Sequence, residues 1–110
     1  MRQDGKIDYV EMPGGALPAL KEFYSWAFGW SFTDYGPTYA AYSEGLDGGF
    51  DGDSFAAPLI VLYATDLDAM ETKVRAAGGV IVKAAYAFPG GRRFHFRDPS
   101  GNILAVWSET

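Results

Sequence analysis

The sequence has no cysteine and only one histidine, His95. The absence of cysteine excludes disulfides, thiolate nucleophiles and cysteine-ligated zinc sites. No apolar run approaches the length needed to cross a bilayer, so we expect no membrane partner. The N-terminal stretch Met1-Arg2-Gln3-Asp4-Gly5 does not have the pattern of a signal peptide. We therefore expect a cytoplasmic protein.

Positive charge is also scarce, with 9 Lys and Arg against 14 Asp and Glu and a formal net charge of −5. This balance disfavours the nucleic-acid backbone, so we expect no nucleic-acid partner. Three of the cations, Arg92, Arg93 and Arg97, lie close together near the C-terminus. One interpretation is a solvated edge strand whose charges discourage aggregation. The other is a guanidinium clamp for a small anionic ligand.

What the chain does have is hydrophobic and aromatic residues, at 48% and 16% of its 110 positions. This amount is enough to fill one compact core and also to line a pocket. In the first half, alternation of apolar residues predicts strands and helical spacing predicts one helix. The last of these strands is weakened by Gly48-Gly49. The predicted elements are a strand over 6–12, a helix over 16–28, and strands over 30–33, 38–43 and 46–50.

After the turn-forming stretch Asp51-Gly52-Asp53-Ser54, the same order of elements repeats. Asp66 is placed to cap a second helix that ends at Gly78-Gly79. The predicted strands of this half lie over 58–64, 80–84, 92–97 and 102–107. The chain therefore reads as βαβββ twice. We predict a single α+β domain with modules over about 5–53 and 57–109.

The last two strands flank Asp98-Pro99-Ser100-Gly101, in which proline presets a turn and glycine permits a positive φ. Successive side chains on a strand point to opposite faces. Arg93, His95 and Arg97 should therefore share one face of the first arm. Ile103, Ala105 and Trp107 should share one face of the second arm. Any acid–base chemistry that uses an imidazole must depend on this hairpin.

Five short motifs occur in order along nearly the whole chain: Ile7-Asp8-Tyr9-Val10-Glu11, Glu22-Phe23-Tyr24, Phe28-Gly29-Trp30, Asp66-Leu67-Asp68-Ala69 and Phe96-Arg97-Asp98-Pro99-Ser100-Gly101-Asn102. In these motifs the chain resembles the vicinal oxygen chelate superfamily, which includes glyoxalase I, bleomycin-resistance, fosfomycin-resistance and extradiol dioxygenase proteins. More narrowly, the chain is similar to the small glyoxalase-like proteins. The resemblance implies two βαβββ modules that form a cup-shaped mixed sheet around the ligand.

The chemistry of that superfamily implies a divalent metal that polarises an oxygen-rich substrate. The positions where the resemblance places the metal ligands are occupied here by Tyr9, Ile60 and Ala105, and by 48–50 on the fourth strand. Aliphatic side chains cannot replace an imidazole or a carboxylate, and one histidine cannot provide a three-ligand site. We therefore expect no metal and no other cofactor, although an unusual site that uses His95 and Glu11 stays open.

His95 and Glu11 are the candidate catalytic residues. His95 could exchange a proton with a ligand, because its pKa starts near neutrality. It could equally be an imidazole packed among Phe94, Phe96 and Trp107. Glu11 shares a strand face with Tyr9, where burial or a cationic partner would shift its pKa. It could also be solvated at the end of the strand.

The candidate ligand-binding residues are aromatic or cationic: Tyr9, Phe50, Arg93, Arg97 and Trp107. Alternation directs only one of Tyr39 and Tyr42 inward, and the sequence does not decide which. We predict a metal-independent small-molecule binding protein of the glyoxalase/bleomycin-resistance type that forms a homodimer. The alternatives are a lyase, isomerase or dioxygenase relative that uses His95 and Glu11, and a protein without a ligand whose dimer is the functional unit.

Overall fold

The computed structural model describes residues 2–52 and 57–110. It confirms the α+β class and the two βαβββ modules. The chain divides into two compact units, which we call the first unit (Tyr9–Leu59) and the second unit (Met1–Asp8 with Ile60–Thr110). The elements are β1 (Ile7–Pro13), α1 (Leu17–Phe28), β2 (Thr33–Asp34), β3 (Tyr39–Glu44), β4 (Leu46–Asp51), β5 (Leu59–Tyr63), α2 (Leu67–Ala76), β6 (Val80–Phe88), β7 (Gly91–Arg97) and β8 (Ile103–Ser108).

The strands of the first unit follow the order β2-β3-β4-β1. β1 runs parallel to β4, whereas β3 is antiparallel to both β2 and β4. The core of this unit lies where α1 covers the sheet, because apolar residues on one stripe of the helix meet one face of the strands. Its buried members are Leu17, Ala40, Tyr42 and Phe50.

The strand predicted over 30–33 is wrong in its extent, since β2 contains only Thr33 and Asp34. The reason is the end of α1. Gly29 adopts the left-handed conformation with φ 74°, and the Trp30 N–H donates to Tyr24 O at 3.2 Å. This glycine-terminated helix end turns Trp30 back, so that its indole stacks on the Tyr24 ring at 4.7 Å. Trp30 therefore belongs to the core under α1.

Gly48 and Gly49 are part of a regular strand, and the structure shows why they carry no side chain. A Cβ at Gly48 would collide with Val10 O and would lie 2.5 Å from Tyr42 Cζ. A Cβ at Gly49 would collide with the Tyr39 hydroxyl. These glycines therefore allow tyrosine rings to cross both faces of β4, which is a known reason for glycine within a strand.

The strands of the second unit follow the order β5-β8-β7-β6, which repeats the topology of the first unit. β5 is parallel to β8, and β7 is antiparallel to its two neighbours. Asp66 caps α2 as predicted, with its carboxylate accepting the Ala69 N–H at 3.1 Å. The helix packs its apolar stripe on the sheet. The buried members of this core are Ala64, Leu67, Phe94 and Val106.

The predicted turn between the last two strands is confirmed. Asp98 Oδ1 accepts the N–H groups of Ser100 and Asn102, both at 2.9 Å, and Gly101 has a φ of 91°. The Asn102 side-chain amide adds a bond to Asp98 Oδ2 at 2.8 Å. The Asn102 amide and the backbone N–H donors stabilise the charged carboxylate, so they lower the pKa of Asp98. The turn therefore fixes the register in which β7 and β8 pair.

The turn predicted at Asp51-Gly52-Asp53-Ser54, between the two halves of the chain, lies only partly within the described residues, because Asp53 and Ser54 are outside them. The division into modules over 5–53 and 57–109 stays a prediction.

Neither α1 nor α2, the two helices within residues 2–52 and 57–110, has the length and apolar character needed to cross a bilayer.

Replacing Gly48 with alanine should destabilise the fold, because the new methyl group meets backbone and a buried ring. Overpacking of this kind costs about 1–3 kcal/mol. Equilibrium unfolding in urea, followed by tryptophan fluorescence, would measure the loss.

The matched control is Gly15→Ala, because a Cβ at Gly15 meets nothing within 4 Å. This variant should stay within about 0.5 kcal/mol of the parent. An equal loss of unfolding free energy in the two variants would show that the tyrosine rings can lie across β4 without glycine at position 48.

Candidate functional site

The candidate site lies on β6 and β7 of the second unit, on the face of the sheet opposite α2. Alternation along β7 directs Phe94 and Phe96 toward α2, so Arg93 and His95 point to the other face. Tyr86 on β6 stands opposite Arg93, and Lys83 stands opposite His95. We call these four residues the Tyr86 cluster: Lys83, Tyr86, Arg93 and His95.

Two irregularities in β6 assemble this cluster. Strict alternation would direct Lys83 and Tyr86 to opposite faces, because they are an odd number of residues apart. The pairing of β6 with β7 shifts register between Ile81 and Lys83, and again between Lys83 and Tyr86. Bulges of this kind insert an extra residue and redirect a side chain. They allow both Lys83 and Tyr86 to join His95 on one face.

The Tyr86 hydroxyl links the cluster through two hydrogen bonds. Arg93 Nε donates to the Tyr86 oxygen, and the same oxygen lies 2.9 Å from His95 Nε2. The donor in the bond between the Tyr86 hydroxyl and His95 Nε2 is set by the tautomer of the imidazole, since the phenol can both donate and accept. Arg93, Tyr86 and His95 therefore form one hydrogen-bonded chain centred on the phenol oxygen.

Burial and positive charge together keep His95 neutral. Loss of solvent around the half-buried ring lowers its pKa, and the charges of Arg93 and Lys83 lower it further, to about 4. Both cations also lie over the Tyr86 ring, with Lys83 Nζ at 4.4 Å and Arg93 Cζ at 5.6 Å from its centroid. The cluster thus combines two cations, a phenol and a neutral imidazole.

Aromatic rings lie beside the cluster. Arg93 Cζ is 5.7 Å from the centroid of Phe88, whose ring is 6.2 Å from that of Trp107. Trp107 is held by its indole N–H, which donates to Asp8 Oδ2 at 2.9 Å, and by the Arg2 guanidinium 4.9 Å above its ring. Apolar rings next to convergent polar groups are typical of small-molecule sites.

The first unit contains a relay of hydroxyl groups of its own. Tyr9 and Tyr39 share a short hydrogen bond, and the Tyr39 hydroxyl donates to Glu11 Oε2 at 3.2 Å. Burial, the Tyr9 hydroxyl and the Glu11 charge raise the pKa of Tyr39 far above its ordinary value. Tyr39 therefore stays protonated and directs its proton at the carboxylate. Of the two tyrosines that the sequence left open, Tyr42 is the one that packs into the core under α1.

The predicted site residues are thus distributed unequally. Arg93 and His95 join the Tyr86 cluster, Trp107 lies among the rings near it, and Tyr9 and Glu11 meet in the first unit. Phe50 is 2% exposed and packs under α1 against Tyr24, Phe32 and Tyr42, so it is a member of the core of the first unit, and its contact with a ligand stays a prediction. Arg97 is exposed at the end of β7, beside the Asp98 turn.

At two of the positions where the resemblance places metal ligands, the side chains present cannot bind a metal. Ile60 and Ala105 have no donor atom, and Ala105 is fully buried. Among residues 2–52 and 57–110, no group of three or more His, Asp or Glu side chains is placed to hold a metal ion. The donor set that superfamily chemistry requires is therefore missing at these positions.

Sequence reasoning missed Lys83, Tyr86 and Tyr39 as members of the two polar groups. The predicted strand over 80–84 ended before Tyr86, whereas β6 continues to Phe88. The apolar run Ala84-Ala85-Tyr86-Ala87-Phe88 was the available signal for the longer strand. The bulges that place Lys83 with Tyr86 have no comparable signal in the sequence.

Comparison with solved structures identifies the fold. A methylmalonyl-CoA epimerase from Mycobacterium tuberculosis is similar with 14% identity and a TM-score of 0.68, over 98% of this chain and 90% of that one. A glyoxalase/bleomycin resistance protein/dioxygenase superfamily member from Vibrio splendidus has 11% identity and a TM-score of 0.66, over 94% and 97%. The chain has the vicinal oxygen chelate fold.

The vicinal oxygen chelate fold is also matched by a Legionella pneumophila protein described as an NAD-dependent benzaldehyde dehydrogenase. That protein is 14% identical, with a TM-score of 0.76 over 91% of this chain and 96% of its own. No family model and no curated protein matches the sequence. At these identities the likeness shows the fold alone.

The single histidine makes the electrostatics of the Tyr86 cluster directly measurable. His95 should titrate at a pKa of about 4, and Lys83→Met should raise that value toward 6.5. Because the folded pKa lies below the unfolded value, His95 contributes stability above about pH 6.5. That contribution should decline as the pH falls toward 4. NMR titration of the imidazole resonances measures the pKa.

Lys73→Met is the matched control, since Lys73 is an exposed lysine on α2 of the same unit. It should leave the pKa of His95 unchanged. A His95 pKa near the ordinary value of 6.5 in the parent chain would contradict the placement of a half-buried imidazole beside two cations.

Proposed function

We propose that this chain is a metal-independent small-molecule binding protein of the glyoxalase/bleomycin-resistance type. The Tyr86 cluster is the observation that carries this proposal. It provides hydrogen-bonding groups of several kinds on one sheet face, with aromatic surface beside them. Small-molecule sites combine these two elements, because the rings contribute apolar contact and the polar groups fix orientation.

The state of His95 favours binding over acid–base catalysis at this cluster. A general acid or base works best with a pKa near the working pH. A pKa of about 4 leaves almost no imidazolium at neutral pH, and Nε2 is already engaged in a hydrogen bond with the Tyr86 hydroxyl. His95 is therefore suited to hold Tyr86 and a ligand in place.

A second candidate is an enzyme, which the relay in the first unit favours. The Tyr9, Tyr39 and Glu11 side chains form a continuous path from a phenol to a carboxylate. Such a path could deliver a proton to Glu11 or remove one from it. A glyoxalase-like lyase that works in this way would need Glu11 for turnover.

Thermal-shift screening with aromatic acids and the matching amides and alcohols tests the binding proposal. A ligand at 100 times its Kd adds about 2.7 kcal/mol of stability, which is readily seen as a rise in Tm. Tyr86→Phe should weaken the best hit roughly tenfold, because the central hydroxyl is lost. His95→Ala should weaken it to a similar or smaller extent.

Tyr35→Phe is the control, since Tyr35 is an exposed tyrosine of the first unit and is not a member of the Tyr86 cluster. No stabilisation by any member of the panel would contradict the binding proposal. Conversion of methylglyoxal and glutathione to S-lactoylglutathione, with a loss of 10²- to 10⁴-fold in Glu11→Gln, would instead favour the enzyme.

We also propose that the protein is a cytoplasmic homodimer. The outer face of α1 supports the dimer, since Phe23, Trp26 and Phe28 are 55%, 89% and 64% exposed. Neighbouring exposed aromatic residues are a common mark of an interaction surface, and symmetric pairing is the commonest form of association.

Sedimentation should therefore show a dimer that Trp26→Glu dissociates. Tyr35→Glu, at an exposed aromatic residue outside the helix, should leave the dimer intact. A monomeric parent chain at micromolar concentration would contradict the proposal.

A further inference from the structure

Lys83 differs from three arginines of the second unit, each of which forms an ion pair with a carboxylate. Arg92 pairs with Asp68 at 3.5 Å, Arg75 with Glu71 at 3.1 Å, and Arg2 with Asp8 at 3.5 Å. Lys83 takes part in none of the ion pairs formed within residues 2–52 and 57–110. Its ammonium group lies over the Tyr86 ring instead, on the same ring that Arg93 approaches. Two positive charges thus converge on one phenol in a chain of net charge −5.

We propose that Lys83, Tyr86 and Arg93 form an anion subsite that takes the oxyanion of an aromatic ligand. The inference rests on the proposed binding function and specifies its ligand class. An oxyanion placed among these groups would gain charge-assisted hydrogen bonds from the lysine and the arginine. It would also reduce the repulsion between the two cations.

The aromatic part of the ligand follows from the rings next to the arginine. Phe88 lies against the Arg93 guanidinium, and Trp107 lies beyond Phe88. The Trp107 indole is held by Asp8 and by Arg2, whose guanidinium lies over the ring. A flat ring bonded to the oxyanion could contact Phe88 and the edge of Trp107, because aromatic pairs prefer offset or edge contacts.

His95 reports on occupancy of the subsite. The groups that face it are Lys83 and Tyr86 from β6 and Arg93 from its own strand, while its β8 partner Ala105 does not titrate. The two cations disfavour a charged imidazole. A bound anion would offset them, so the pKa of His95 must rise when the subsite fills. By linkage, the anion must bind more tightly as the pH falls through that raised pKa.

The experiment is an NMR titration of the whole chain with benzoate, phenyl phosphate, benzamide and inorganic phosphate, followed at the His95 imidazole. Benzoate or phenyl phosphate should bind and raise the pKa of His95, and the tighter of the two identifies the oxyanion as carboxylate or phosphate. Benzamide, which keeps the ring without the charge, should bind at least about tenfold more weakly. Inorganic phosphate, which lacks the ring, should also bind more weakly.

Lys83→Met and Arg93→Gln should each weaken the tighter anion roughly tenfold. Lys73→Met and Arg92→Gln are the matched controls and should bind it as the parent does. Amide spectra of every variant establish that it is folded, and the double variant Lys83→Met/Arg93→Gln tests the subsite should one single variant unfold.

Equal binding of benzoate and benzamide would overturn the anion subsite while leaving the binding function intact. Equal binding of benzoate and inorganic phosphate would overturn the aromatic part. Failure of both aromatic anions to change the His95 pKa would overturn the inference, whereas failure of the whole thermal-shift panel is the separate result that would contradict the binding function.

Discussion

The register of β6 against β7 determines which chemistry the second unit presents. In a regular hairpin, Lys83 and Tyr86 would lie on opposite faces, and one of them would point toward α2. The two register shifts bring both side chains to the face that carries Arg93 and His95. The Tyr86 hydroxyl can then accept from the guanidinium and form a hydrogen bond with the imidazole. The hydrogen bonds around the Tyr86 hydroxyl and the convergence of cations, which adds to the effect of burial in lowering the pKa of His95, both follow from this register.

The two modules repeat a topology but not its chemistry. In the first unit, glycines in β4 leave room for tyrosine rings, and a chain of hydroxyls ends at a carboxylate. In the second unit, a single hydroxyl connects an arginine to an imidazole. The sequence already shows this divergence, since most of the acidic residues lie in the first half and most of the basic ones in the second. A shared fold therefore supports two different polar networks.

Local patterns in the sequence were sufficient to predict much of the fold. The Asp98 turn and the Asp66 cap depend on side chains that bond to backbone a few residues away, so the sequence predicts them directly. The prediction of a strand over 30–33 was wrong because aromatic residues at this spacing fit a strand and a core segment beside a helix equally well. The choice between Tyr39 and Tyr42 depended on packing against α1, which no local pattern encodes. At the site, alternation found Arg93 and His95 but could not find partners that bulges redirect.

The burial of Ala105 limits which side chains this position can hold. Ala105 is fully buried in β8, which pairs with β5 on one side and with β7 on the other. A glutamate here would bury an unpaired charge, which is strongly unfavourable. The chain could carry a carboxylate at position 105 only together with a cation that neutralises it, so the side chain at this one position and the charge around it are coupled.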